Sequence, residues 1–215
     1  MVKKNKILIA VTSIIILFPM IAGVFLWDSL PDIMETNFGA NGEANGWSSK
    51  PFAVFGIPLI ILAAHLVCAF FVALDPKRRN ISEKMYSLML WVCPFCSITA
   101  GIFIYYENLG WKVDIMLAGS LILGIIFVAL GNYLPKSRVN YSVGFKLPWT
   151  LSDEENWNKT HRLAGWLWVA AGLVLFANMY IKNMFILLIA PAVATVIPIG
   201  YSLVYYLRHR NKSEE

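Results

Sequence analysis

A chain of 215 residues that is 58% hydrophobic and only 14% charged has too little polar surface to clothe a soluble core, which makes it an integral membrane protein. A net charge of +5 would suggest nucleic acid for a soluble chain; here it records a bias of basic residues toward the inner side of a membrane, and no direct nucleic-acid contact is expected. The three cysteines lie in apolar runs and form no disulfide framework.

The first apolar run, Ile7 to Trp27, follows Lys3, Lys4 and Lys6. It outruns a secretory-signal core and ends in Leu26-Trp27-Asp28 with no small-residue cleavage pattern, so it is predicted to be a retained span. Asp28 to Lys50 is the sizeable outer segment. Its Gly and Asn residues predict a turn-rich connector with Trp47 resting at the interface.

Five further runs follow: Pro51 to Leu74, Met85 to Tyr106, Ile115 to Tyr133, Leu163 to Ile181 and Met184 to Tyr206. Each can cross about 30 Å of hydrocarbon as a helix. Pro19, Pro58, Pro94, Pro191 and Pro198 predict kinks rather than breaks. Ser120, Gly124 and Gly131 make a small-residue stripe, repeated by Ala190 and Ala194, as close helix packing in lipid favours. Only Lys182 and Asn183 separate the last two runs, which must form an antiparallel hairpin. No Asp, Glu, Lys or Arg falls inside any run, which counts against a pump or a proton-coupled carrier.

With the amino terminus inside, Lys3, Lys4, Lys6, Lys77, Arg78, Arg79, Lys84, Lys136, Arg138, Lys146, Lys159, Arg162, Arg208, Arg210 and Lys212 are cytoplasmic. Lys50, Lys112 and Lys182 are outside. The expected fold is therefore an all-α membrane bundle of six spans, N-in and C-in. Two regions are expected: 1–74, two spans with the outer loop 28–50, and 85–206, four spans with an inner polar loop over 134–162.

That inner segment, Gly131 to Arg162, is the longest polar stretch between hydrophobic runs and the first place to look for function. Gly144 and Pro148 break any helix. Ser152 with Glu155 reads as a capping box, so a helix should start near Asp153, with Asp153 and Glu154 facing the positive end of its dipole. Trp157, Thr160, His161, Ala164 and Trp168 then share one stripe, and the extension stands about 15 Å outside the hydrocarbon.

These residues resemble the signature of the SdpI-type immunity family, bacterial multi-pass membrane proteins that protect against a secreted sporulation-delay peptide toxin. Gly131, Asn132, Tyr133, Leu134 and Pro135 open it; Asn140, Gly144, Lys146, Pro148, Trp149, Thr150 and Leu151 follow; Trp157, Thr160, His161 and Arg162 close it. Lys146 stands where the family usually has Arg, and Leu147 where Thr is common. Lys lacks the bidentate fork for a planar carboxylate or phosphate. The outer segment resembles the short domain that often precedes the signature, through Leu30, Pro31, Phe38, Gly39, Gly42, Gly46, Trp47 and Lys50; Glu35 and Asn37 replace its common Pro and His.

The resemblance implies a toxin contact at Phe38, Trp47 and Lys50. It implies a cytoplasmic signature surface of Asn140, Gly144, Lys146, Pro148, Trp149, Thr150, Trp157, Thr160, His161 and Arg162. The implied partners are membrane lipid, the secreted peptide toxin and a cytoplasmic transcriptional repressor captured at the membrane. Oligomeric state is not specified.

Two other constellations compete. His65 and Cys68 face Cys93 and Cys96 at similar depth on consecutive spans, a zinc or copper ligand type, but the closed-loop spacing is missing; no metal and no cofactor is expected. His161 is the sole acid–base candidate near neutral pH in the polar loop, and neither paired carboxylates nor a nucleophile motif accompanies it, so no catalytic residue and no enzyme is expected. A small-molecule carrier or a membrane enzyme using the inner loop is the alternative function.

Overall fold

The computed structural model describes residues 5–39 and 43–210; Lys3, Lys4, Gly42 and Lys212 lie outside the described residues. Six helices are long and apolar enough to cross a membrane. Their contacts group into two compact units, Met1–Phe71 with Ser87–Ala118 and Val72–Tyr86 with Gly119–Glu215.

In the first unit, α1 (Lys6–Ile16) and α2 (Phe18–Phe25) make one span divided at Leu17. Pro19 was expected only to kink it. Pro19 has no N–H to give to the preceding turn, and the Met20 N–H bonds Leu17 O at 3.0 Å, a tighter turn that ends α1 early. The Ser97 hydroxyl donates to Ile16 O at 2.8 Å, so the carbonyl at the break is satisfied inside the protein. A second proline is absorbed differently. One π-helical turn, Phe52–Gly56, leads into α3 (Ile57–Leu74), which carries Pro58 near its start. In α4 (Glu83–Asn108), Pro94 stays inside the helix as expected.

The segment from Asp28 to Lys50 is more than a connector. β1 (Ile33–Phe38) and β2 (Ala44–Ser49) pair antiparallel, Ile33 opposite Ser49 and Glu35 opposite Trp47, with register shifts beyond Glu35. Directly opposed residues share a face, so Ile33, Glu35, Trp47 and Ser49 point one way while Met34 points the other. Met34 is fully buried with Leu30, Ala53, Val54, Ile104 and Tyr105. The Asn108 side chain clamps β1 to α4: it accepts from Glu35 N–H and donates to Glu35 O, both at 2.9 Å.

In the second unit, α5 (Ile115–Tyr133), α7 (Glu154–Ile181) and α8 (Met184–Arg210) are the long helices, and α6 (Pro148–Ser152) is one short turn before α7. Helices α5 and α7 meet at glycines. A Cβ on Gly131 would come within 2.9 Å of Val169 N, and one on Gly172 within 2.9 Å of Gly124 O; both obstacles are backbone and cannot turn aside. Gly124 and Gly131 are two turns apart on α5, so this contact runs along the crossing. The Asn178 amide donates to Ser120 Oγ at 3.0 Å at its far end. Lys182, in the left-handed region at φ 55°, ends α7, and α8 starts two residues later as the expected hairpin.

Candidate functional site

The polar segment between α5 and α7 is a folded plug rather than an open loop. His161 lies at its centre, fully buried. Its Nε2 accepts the Phe145 backbone N–H at 2.9 Å, and its Nδ1 lies 2.8 Å from Trp157 O. A backbone N–H can only donate and a carbonyl can only accept, so the ring is neutral with its proton on Nδ1. The Trp157 ring stacks on it at 3.9 Å, and Phe145 meets it edge-on at 5.8 Å. The indole N–H of Trp157, also buried, donates to Ser137 O at 2.8 Å.

Gly144 makes the approach possible. Its φ is +108°, a region L side chains rarely adopt, and a Cβ there would collide with His161 Nε2. Glycine at this position is thus required twice, by the backbone and by the ring.

The rest of the plug is tied with equal economy of donors. The Asn140 side chain accepts from the N–H groups of Ser142 and Val143 and donates to Arg138 O and Ser137 Oγ. Thr150 Oγ1 donates toward Phe145 O and Leu147 O while accepting the Leu147 N–H at 3.0 Å, which starts α6 with Pro148 at its first position. The Trp149 indole donates to Ser202 Oγ at 3.0 Å and stacks on Tyr206, and Asn156 donates to Ser202 O at 3.0 Å while accepting from Thr160. Two points of α8 therefore hold the segment.

The start of α7 departs from the expected capping box. Asp153 is the N-cap, its carboxylate accepting from Glu155 N–H at 2.8 Å and Asn156 N–H at 3.1 Å. Ser152 belongs to α6, and Glu155 instead pairs Lys159 at 2.7 Å. Ser152 is still helical in α6, so Asp153, extended at φ −129° and ψ 111°, is the residue at the turn where a side chain can reach the orphan amides of α7.

Of the signature residues, Asn140, Thr150, Trp157, Thr160 and His161 are buried, whereas Lys146, Pro148 and Arg162 are exposed and Gly144 and Trp149 are half-buried. The aromatic and polar residues frame the segment; the basic ones face outward. Sequence reasoning missed Asp75, Asn156 and Ser202. Asp75 is 3% exposed and its Oδ2 accepts from Tyr141 N–H at 2.9 Å and Ser142 Oγ at 2.6 Å. An Asp before Pro76 signals a turn, but nothing in the sequence says which distant amides it binds. Asn156 was legible, one helical turn before Thr160 on the buried stripe.

In the β1–β2 hairpin the three expected contact residues separate. Lys50 is buried, 3.1 Å from Asp32 and 3.2 Å from Trp27 O, and Phe38 packs edge-on against Phe103 at 4.8 Å. Trp47 alone presents its side chain, 59% exposed, with Ile33, 68% exposed, beside it on the outward face. His65 Nε2 lies 3.0 Å from Thr12 Oγ1 and Cys68 is exposed; among the described residues no group of three or more His, Cys, Asp or Glu is placed to hold a metal ion.

Fold and site together define a multi-pass helical membrane protein whose described residues include a β-hairpin and a buried polar plug. Residues 136–202 match the SdpI/YfhL protein family, and residues 14–62 match a domain of unknown function, DUF1648. A stretch that matches the SdpI/YfhL family thus lies behind one that matches DUF1648, as the signature residues indicated. Immunity protein SdpI of Bacillus subtilis (strain 168) is 26% identical over 192 residues, which cover 87% of this chain and 86% of that protein. No solved structure matches.

Proposed function

We propose that this protein gives its host cell immunity to a secreted, membrane-active peptide. The observation that carries this reading is the likeness to an immunity protein along nearly the whole of both chains. In this reading both termini are cytoplasmic, on the fifteen-to-three distribution of basic residues, which leaves the hairpin outside and the plug inside. The chain is then an outward-sensing region, 1–74, joined to the SdpI-like region, 85–206.

Trp47 and Ile33 form the toxin contact. An exposed aromatic beside an exposed aliphatic on a braced sheet face is the chemistry that an apolar peptide arriving from outside would meet first. On the inner side, Arg138 and Lys146 offer an acidic cytoplasmic partner, such as a small repressor, a basic surface whose backbone is held rigid by His161, Asn140 and Asp75.

Two experiments test this reading. Single cysteines replacing Asn45 and Lys146 in a Cys-free background should be labelled from outside and only from inside, respectively; labelling of the Lys146 position in intact cells overturns the orientation. A photo-crosslinking residue at position 47 should capture added toxin peptide and one at Lys146 should not, while equal capture at both removes the hairpin from the mechanism.

A further inference from the structure

Between the end of α5 and the first turns of α7 lies a cleft of about 500 Å³ that the plug does not fill. Lys136, Arg162, Asn132 and Asn158 line one end; Trp166 and Val169 line the other, and no lining residue is acidic. The four polar residues are exposed, and the Lys136 ammonium lies 5.1 Å from the Tyr133 ring. Asn158, Arg162, Trp166 and Val169 fall on one stripe of α7. That stripe changes from donors to apolar groups as the helix enters the hydrocarbon, with Trp166, 72% exposed, at the change.

We infer that this cleft binds an anionic phospholipid, its phosphodiester between Arg162 and Lys136 and an acyl chain along Trp166 and Val169. A free anion would use only the polar end. A neutral apolar ligand would use only the apolar end and leave the two cations and two amides to solvent. An amphiphile with an anionic head uses both ends, and the guanidinium supplies the paired donors that a phosphodiester accepts. Basic pockets between membrane helices recognise anionic headgroups in this way. The inference goes beyond the immunity reading and does not depend on it.

The test is native mass spectrometry of the purified full-length protein with phosphatidylglycerol or phosphatidylcholine in mixed micelles. Removing one cation near the headgroup plane should lower the phosphatidylglycerol preference about fivefold, and Lys136→Gln/Arg162→Gln roughly 30-fold, with phosphatidylcholine adducts unchanged. Arg138→Gln/Lys146→Gln, outside the cleft, should keep the wild-type preference. Should the first double variant not purify as a folded protein, Lys136→Gln alone carries the test through its fivefold loss. Unchanged phosphatidylglycerol binding in the cleft variants overturns the site. So does an equal loss in the Arg138/Lys146 variant, which would mean net charge alone, and so does displacement of the lipid by an equal concentration of inorganic phosphate, which would mean a free-anion site.

Discussion

Gly144→Ala should unfold the plug through one atom. A residue other than glycine held at positive φ costs about 1–2 kcal/mol. The new Cβ would also collide with His161 Nε2, and moving the ring strands the Phe145 N–H that it now accepts. An unsatisfied buried donor costs about 1–3 kcal/mol more, so the total is about 2–5 kcal/mol. The two contributions separate in a double-mutant cycle. In an His161→Ala background the ring is gone, and Gly144→Ala should cost only the backbone share, leaving a coupling of about 1–3 kcal/mol. Reversible SDS titration of the purified chain in mixed micelles measures all four corners. The reasoning is refuted if Gly144→Ala costs the same with and without the His161 side chain, or if it costs nothing in either.

Nitrogen NMR of selectively labelled histidine should find His161 as the Nδ1–H tautomer, its Nε2 carrying a lone pair; the opposite tautomer would contradict the contact with Phe145. Asp75→Ala should expose residues 141–142 to hydrogen exchange and cost about 1.5–3 kcal/mol, the worth of one bond to a charged group, or more, while Asp75→Asn should cost less. Gly172→Val should force α5 and α7 apart and cost more than about 2 kcal/mol by the same titration, because the obstacle is Gly124 backbone. Lys159→Ala should cost no more than about 1 kcal/mol, since its pair with Glu155 sits in solvent and its ammonium lies 4.7 Å over the Tyr205 ring at the surface.

The spans, the α7–α8 hairpin and the small-residue stripe on α5 were legible in the sequence because each follows from hydrophobic length or from residue size alone. The partner of that stripe was not: Gly165 and Gly172 on α7 are ordinary glycines until the crossing places them against Gly131 and Gly124. The hairpin was hidden for a related reason. Ile33 and Trp47 sit on its solvent-facing side, so the apolar and polar positions do not alternate cleanly, and the strands are disclosed by their backbone pairing, the burial of Met34 and the Asn108 clamp. In the plug, the stripe of Trp157, Thr160 and His161 was visible. That it turns inward was not, because its hydrogen-bond partners, Ser137 O, Phe145 N–H and, through Asn156, Ser202 O, lie on other segments. Asp153 replaced Ser152 as the cap because neighbouring residues could both serve and only one of them lies at the turn left by α6.

Survival of a toxin-sensitive bacterium expressing this chain, on challenge with purified sporulation-delay peptide, tests immunity most directly. The account predicts growth with the wild-type chain and loss of protection with Ile33→Ser/Trp47→Ser at equal membrane abundance. Killing of wild-type-expressing cells at the rate of cells lacking the chain, with the protein present and folded in the membrane, would contradict it.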